Sequence, residues 1–269
     1  MSLELKSSLA DVRQICNNGF NNDEGDMMLA LKGSKDRKVA NGVNAKGTLA
    51  AISNTFGLPA GDQYSCPGMT DVCGSICYAN TLEKVYPSVR ALLTHNFDLL
   101  KDADQADMFM LLDGLIADFV KASDKRGLPK VYRIHWDGDF FSDVYTAAWI
   151  DVIRKYEDVQ FWVYTRVTAS AVAIHKAGLH NVSLYFSTDS ANRPIGEMLK
   201  RTYGIRLAFL ADTFADGQSV LREMTGKPGA KCPEQLGRLD LISTDGSACV
   251  RCGLCVFGKA DIVFSISKH

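Results

Sequence analysis

The residue type with the most chemical potential in this chain is cysteine. Seven of the eight cysteines of this 269-residue chain fall into two compact groups. The groups are Cys66, Cys73 and Cys77, and then Cys232, Cys249, Cys252 and Cys255. Thiols clustered in this way, in a chain without a secretory signature, usually bind a metal rather than pair as disulfides. The sequence therefore predicts a protein built around one or two [4Fe-4S] clusters.

The C-terminal group has the spacing C-x16-C-x2-C-x2-C. Ligands at intervals of three let a loop wrap a cubic cluster, and the remote Cys232 supplies the fourth thiolate. Structural zinc sites more often consist of two C-x2-C pairs separated by a loop. The spacing favours an iron–sulfur cluster, with zinc as the alternative.

The first group has the spacing C-x6-C-x3-C and supplies three ligands. Three thiolates leave one iron of a cubic cluster open to a substrate, a cofactor or a ligand from elsewhere in the chain. Cys16, His95 and His135 are candidates for that ligand. Alternatively, the two groups share one cluster, and the remaining thiols are buried as small core residues.

Composition and charge narrow the classes of function. The formal net charge is −1, which argues against a broad nucleic-acid-binding face. The N-terminal residues lack the apolar region of a signal peptide, and no apolar run approaches the ~18 residues of a membrane-spanning helix. We expect a soluble, cytoplasmic protein without a membrane partner.

Strands and helices alternate in the middle of the chain. The segments VYRIHWDG, VQFWVYTR, NVSLYFSTD and IRLAFLAD read as strands, separated by helical patterns of ~10–18 residues. Two further helices are predicted before them, over about Pro87–Lys101 and Ala106–Lys125. This alternation predicts a parallel α/β sheet, either open or wound as a full or partial barrel.

The domain boundaries follow from these patterns. Residues 1–65 are predicted as a small β-rich element, residues 66–225 as the α/β body, and residues 226–269 as a cysteine-rich cluster-binding segment. The three parts are expected to form one compact unit.

Each predicted strand ends in polar residues, where sites lie in parallel α/β proteins. Such residues also serve as helix caps. The four sets are Asp137, Gly138 and Asp139; Thr165 and Arg166; Ser187, Thr188 and Asp189; and Asp212 and Thr213.

Several segments resemble the phage protein family known as gene product 88. They are CPGMTDVCGSICYAN, HWDGDFFSDVYTAAWIDVI, FWVYTR and the closing CVRCGLC. More distantly, a cysteine loop ending in Cys-Tyr-Ala before parallel strands is similar to radical S-adenosylmethionine (SAM) enzymes. That similarity implies a partial (β/α) barrel whose rim carries a cluster held by three cysteines, with SAM on the open iron.

The radical-SAM resemblance also implies roles for particular residues. Cys66, Cys73 and Cys77 would hold the cluster, and Asp137, Gly138 and Asp139 would take the place of the turn that binds SAM. Arg166 and Asp189 would then help to orient the ligands. The chain has C-x6-C-x3-C where that superfamily usually has C-x3-C-x2-C.

The function predicted from the sequence is a phage iron–sulfur protein with a radical-SAM-like barrel, in the cytoplasm of the infected host cell. Its partner would be a small molecule or a host protein. The alternatives are a non-enzymatic iron–sulfur protein, acting in electron transfer, redox sensing or host-protein binding, and a zinc-stabilised binding module.

Overall fold

A large parallel sheet organises the fold. The computed structural model describes residues 30–36, 38–39, 52–243 and 246–267. The strands within these residues are β1 (Thr55–Gly57), β2 (Val131–Asp137), β3 (Gln160–Thr165), β4 (Val182–Thr188), β5 (Arg206–Ala211), β6 (Ala230–Lys231), β7 (Ile242–Ser243), β8 (Gly246–Ser247) and β9 (Ile262–Ser265). Seven of them form one sheet in the order β1-β2-β3-β4-β5-β9-β6, with every neighbouring pair parallel. The other two, β7 and β8, form a short antiparallel pair.

Helices connect successive strands of the sheet. The helices of the described residues are α1 (Asp71–Ser75), α2 (Tyr78–Val85), α3 (Pro87–Leu100), α4 (Gln105–Arg126), α5 (Asp143–Lys155), α6 (Thr168–Lys176), α7 (Arg193–Tyr203), α8 (Phe214–Thr225) and α9 (Ala248–Cys252). None of them is long and apolar enough to cross a membrane.

Local sequence signals account for several helix boundaries. Pro87 stands in the first turn of α3, where its missing N–H costs no hydrogen bond. The Ser142 hydroxyl caps α5 by accepting a hydrogen bond from the Tyr145 N–H at 3.1 Å. Gly127 ends α4 in the left-handed conformation. The predicted ends of α3 and α4 are therefore right to within one residue.

The two faces of the sheet are covered differently. Along β3, Phe161 and Val163 point to the main core formed with α3–α8, and this side is the helical face. Trp162 and Tyr164 point to the opposite side, where they pack against the C-terminal segment. We call this opposite side the cysteine face. Because side chains alternate along a strand, burial on both faces produces the nearly continuous apolar strands seen in the sequence.

The C-terminal segment is part of the sheet and not an appendage. Strand β9 lies between β5 and β6, so the last strand of the described chain pairs with two earlier ones. Residues that precede β9 in the chain pack on the cysteine face, namely Cys232, Cys249, Leu254, Cys255 and Val256. The cysteine-rich segment thereby shares its core with the α/β body.

The predicted α/β class and parallel sheet are confirmed, while closure into a radical-SAM-like barrel remains a prediction. Within the predicted N-terminal element, β1 pairs with β2 and so belongs to the large sheet. Much of residues 1–65, including Cys16, lies outside the described residues.

Candidate functional site

The C-terminal cysteines line one cavity on the cysteine face. The cavity has a volume of about 20 Å³, and all four thiols of the group contribute to its wall. The remaining wall residues are Pro233, Glu234, Ala248, Leu254 and Ile262. Four soft sulfur donors around an internal space in a largely apolar wall fit a metal group of the kind that thiolates bind.

The fold brings these four cysteines together from two directions. Cys232 follows β6, and its N–H donates to the carbonyl of Val263 on the neighbouring β9 at 3.1 Å. Cys249 and Cys252 lie on α9, which ends at Gly253 in the left-handed conformation. The turn after this glycine places Cys255 against Tyr164 of β3. We call this arrangement the four-cysteine cavity.

Burial favours the protonated thiol at Cys232, Cys249 and Cys255. It raises the pKa of Cys249 and of Cys255 to about 12, and it also raises the pKa of Cys232. The Arg133 guanidinium opposes this effect at Cys249 by favouring the thiolate. A metal that binds here must therefore displace protons, so binding is coupled to pH.

A different question is whether side chains already lie close enough together to bind a single metal ion. Among the described residues, no three His, Cys, Asp or Glu side chains form a group that could hold a metal ion as they stand. The four-cysteine cavity thus brings the predicted ligands to one place, and their convergence on a bound metal remains a prediction.

The first cysteine group lies in a loop at the carboxyl ends of β2, β3 and β4. We call residues 66–77 the cysteine loop. Within it, the Thr70 hydroxyl caps α1 by accepting from the Cys73 N–H at 3.0 Å, and the Cys77 sulfur caps α2 by accepting from the Asn80 N–H at 3.4 Å. Cys73 and Cys77 interact with each other electrostatically, whereas Cys66 lies near Asp139 and Asp137.

A buried ion pair fastens the cysteine loop to the sheet. One guanidinium nitrogen of Arg166 donates to Oδ2 of Asp189 at 2.7 Å, and the Thr70 hydroxyl donates to the same oxygen at 2.6 Å. The two charged side chains are 10% and 0% exposed. Burial raises the pKa of the Cys73 thiol, and the nearby Arg166 partly offsets that shift.

Asp139 joins the ends of β2 and β3. Its carboxylate accepts from the Thr165 hydroxyl at 2.6 Å, the Arg166 N–H at 2.7 Å and the Phe140 N–H at 2.8 Å. Burial raises its pKa to about 6, and these hydrogen bonds counteract that rise. Asp139 therefore positions Arg166 directly.

Two glycines let the loop approach the strand ends. Gly138 adopts φ +77°, and a Cβ there would lie 2.9 Å from the Leu58 carbonyl oxygen and would collide with the Ser65 hydroxyl. At Gly68 a Cβ would lie 2.5 Å from the Arg166 carbonyl oxygen. The glycine of the Cys-Pro-Gly sequence thus permits the close contact between the loop and β3.

Asp137 has an acceptor atom that the described residues leave unused. Its Oδ1 accepts from the Gly138 N–H at 2.8 Å, while its buried Oδ2 has no hydrogen-bond partner in the described part of the chain. Burial, together with the nearby Glu83 carboxylate, raises its pKa to about 8. The raised pKa favours the protonated form of the Asp137 carboxyl group, and the interaction with Glu83 contributes to that shift.

The sequence-predicted site residues thus occupy two places. Asp137, Gly138, Asp139, Arg166 and Asp189 lie with the cysteine loop at the carboxyl ends of the strands. The four C-terminal cysteines line their cavity on the cysteine face. Some of the polar residues at the strand ends do cap helices, as Thr213 does for α8.

The histidines considered as a fourth ligand have other surroundings. His135 has φ +61° and lies among aromatic residues of the helical face, where its Nε2 is 2.8 Å from the Tyr145 hydroxyl. Burial lowers its pKa to about 3. His95 lies on α3 with its Nε2 2.9 Å from the carbonyl oxygen of Ala30. Neither histidine is directed by these contacts towards the cysteine loop.

Sequence reasoning missed four residues that shape the two sites: Lys38, Thr70, Glu83 and Arg133. Glu83 is buried and accepts from the Ala60 N–H at 2.8 Å. Arg133 is a charged residue among the apolar residues Val131, Tyr132 and Ile134 of β2. A charge inside a strand buried on both faces was the available signal for Arg133. The other three show no comparable local pattern.

The fold and the two sites define an α/β protein with a parallel sheet, one face of which is covered by a cysteine-rich segment. A family model described as "Gene product 88" matches residues 28–258. The chain belongs to the gene product 88 family, and the predicted bacteriophage origin of the family is confirmed.

Two relatives show how far this similarity extends. The chain is 48% identical to the Gene 88 protein of Mycobacterium phage D29 over 245 residues, which are 90% of this chain and 100% of the relative. It is 48% identical to the Gene 88 protein of Mycobacterium phage L5 over 244 residues, with the same coverage. No solved structure matches the chain significantly.

Proposed function

We propose that this protein is an iron–sulfur protein whose C-terminal cysteines hold a [4Fe-4S] cluster on the cysteine face of the sheet. The observation that carries the proposal is the four-cysteine cavity, in which four thiols from two parts of the chain surround one space. A cluster supplies one-electron chemistry, and the apolar wall around it limits access of water.

The residues of the chain have defined tasks in this proposal. Cys232, Cys249, Cys252 and Cys255 are the ligands. Tyr164 packs against the Cys255 side of the cavity and shields it from solvent. The backbone of Lys38 fixes α9, because its carbonyl accepts from the Cys249 N–H at 2.9 Å.

The test is the iron and acid-labile sulfide content of protein purified without oxygen. About four irons per chain are expected from the C-terminal group alone, and about eight if the cysteine loop also holds a cluster. The C249S/C252S variant should lose the C-terminal share, while the matched C66S/C73S variant should keep it. Colourless wild-type protein containing zinc and no iron would refute the proposal and favour the zinc-stabilised module.

A second function, SAM-dependent radical chemistry at the cysteine loop, is supported by where the loop lies. It packs over the carboxyl ends of the parallel strands, where the Asp137 carboxyl group is buried beside Glu83. A cluster with one iron free of cysteine supplies an electron and a position for SAM. Arg166 and Asp189 would hold the loop in place around them.

Exposed apolar side chains around the same loop support a partner or substrate at this end of the sheet. Those between residues 64 and 86 are Tyr64, Met69, Ile76, Tyr78, Val85 and Tyr86. The partner proposed is a small molecule or a host protein.

SAM chemistry is tested by incubating reduced, anaerobic protein with SAM and measuring 5′-deoxyadenosine. Wild-type protein should form it, and the C73S/C77S variant should not. Iron-loaded wild-type protein that neither binds nor cleaves SAM would leave the non-enzymatic iron–sulfur function in its place.

A further inference from the structure

Arg133 is a largely buried cation on the cysteine face of β2. Its side chain is 17% exposed, and one of its terminal nitrogens donates to Oδ2 of Asp36 at 3.0 Å. Its Nε is buried without a hydrogen-bond partner in the described part of the chain. A charge buried in this way is costly unless negative groups surround it.

The surroundings of Arg133 direct it towards the four-cysteine cavity. Its guanidinium carbon lies 5.8 Å from the centre of the Tyr164 ring, in a cation–π arrangement. Tyr164 in turn packs with Cys249 and Cys255. The guanidinium interacts electrostatically with both of these thiols, so it lies beside the part of the cavity that they form.

A short segment of the chain fixes this arrangement. Asp36 holds Arg133 through one carboxylate oxygen and accepts from the Lys38 N–H through the other, at 2.8 Å. The Lys38 carbonyl then accepts from the Cys249 N–H. The same few residues therefore hold the cation and the helix that carries two of the cysteines.

The negative charge expected at the four-cysteine cavity suggests a role for the Arg133 guanidinium. Four thiolates carry four negative charges, which exceed the charge of the metal group that they bind, and reduction by one electron adds another. Besides its ion pair with Asp36, the Arg133 guanidinium interacts electrostatically with Tyr78, Tyr164 and Cys249. Lys38, a second cation near Cys249, is paired with Glu234 at 2.9 Å, and its side chain is 45% exposed.

We propose that Arg133 is the positioning residue that compensates the charge of the four-cysteine centre and thereby raises its reduction potential. This inference rests on the proposed iron–sulfur function. The reaction concerned is the uptake of one electron by the cluster from a low-potential redox dye, which is oxidised by one electron. No bond in the protein forms or breaks.

The test is a dye-mediated redox titration of the cluster, followed by its spectrum, in the C66S/C73S background, which isolates the C-terminal centre. With an effective dielectric constant of about 20 around the charges, Arg133→Met should lower the ratio of reduced to oxidised cluster on the order of tenfold at a given potential. That change corresponds to about 59 mV for one electron. Arg133→Lys, which keeps the charge, should restore most of the ratio.

Two further variants separate charge from structure. Lys38→Met removes a half-exposed cation that is already paired with Glu234, and it should shift the ratio much less than Arg133→Met. If Arg133→Met does not fold because Asp36 is left uncompensated, the double variant R133M/D36N removes the pair together. It should still lower the ratio, by less than Arg133→Met, because Asp36 acts on Cys249 in the opposite direction and more weakly than Arg133.

The outcomes distinguish this inference from the proposed function. Wild-type protein without iron would refute the proposed function itself. An iron-loaded, folded R133M or R133M/D36N variant with an unchanged potential would overturn the inference alone. A shift that Arg133→Lys does not restore would also overturn it, because charge would then not be the cause.

Discussion

At the scale of single residues, the ion pair between Arg166 and Asp189 connects the cysteine loop to two strands. Asp189 is completely buried, and its Oδ2 accepts from both Arg166 and Thr70. A buried pair of this kind contributes little more to stability than two apolar residues in the same place would. Removal of one partner is costly, however, because the other charge is then buried without compensation. The pair therefore holds the loop in one position, and breaking it should strongly destabilise the protein.

Arg166→Met is expected to destabilise the protein by about 3–5 kcal/mol, because Asp189 would remain buried without its cation. The matched control is Arg193→Met, which breaks an exposed pair with Glu223 and should cost about 0–1 kcal/mol. Urea denaturation of the metal-free proteins measures both values. Equal losses of unfolding free energy in the two variants would contradict the idea that burial makes the Arg166–Asp189 pair the more costly one to break.

At the scale of elements, the turn after β2 packs closely against Leu58 and against Ser65, the residue before the cysteine loop. Gly138 combines a positive φ with contacts to Leu58 and Ser65 that leave no room for a side chain. Gly178, which follows α6, has φ +63°, but no atom lies within 4 Å of the position that a Cβ would occupy there. The two glycines thus share a conformational requirement and differ in their surroundings.

Gly138→Ala should therefore destabilise the protein more than Gly178→Ala does. We expect about 1–2 kcal/mol for Gly178→Ala from the positive φ alone, and at least about 1 kcal/mol more for Gly138→Ala from the added steric contact. The measurement is the denaturation midpoint of each variant at an unchanged m-value. Indistinguishable midpoints would show that Leu58 and Ser65 move aside without a measurable loss of stability.

The strands and helices were easier to predict from the sequence than the contacts that build the sites. The alternation of apolar strands with amphipathic helices predicted the parallel sheet, and proline and glycine marked the ends of α3 and α4. The position of β9 between β5 and β6 was not predictable, because DIVFSIS is an apolar run whose neighbours depend on distant strands. The inward charge of Arg133 was likewise visible in the sequence, but its partner Asp36 lies 97 residues away.

At the scale of the whole molecule, the cysteine-rich segment is joined to the core by β9. This strand pairs with β5 and β6, and Val263 packs into the main core on the helical face. The segment before it covers Trp162 and Tyr185 on the cysteine face. Without the C-terminal residues, the cysteine face of the α/β body would thus be uncovered.

A chain truncated after residue 228 should lose cooperative unfolding, because it would expose the apolar cysteine face and leave β5 as an edge strand. Thermal unfolding followed by near-ultraviolet circular dichroism tests this expectation. The full-length C249S/C252S variant is the control, since it lacks two ligands but keeps β9, and it should still unfold cooperatively. Cooperative melting of the truncated chain would instead show that the body is an independent domain.

The order of amino acids was enough to predict the local and periodic features of this protein: the α/β class, the helix ends and the two sets of cysteines. These follow from hydrophobic periodicity, backbone restrictions and residue chemistry, which act over a few neighbouring residues. The folded chain was needed to show that Cys232 meets the three cysteines of α9 and its following turn, and that the two sets lie at different places on the sheet. It was also needed to place Arg133 beside Cys249 and Cys255. Such contacts join residues far apart in the chain, and their positions depend on how the whole sheet packs.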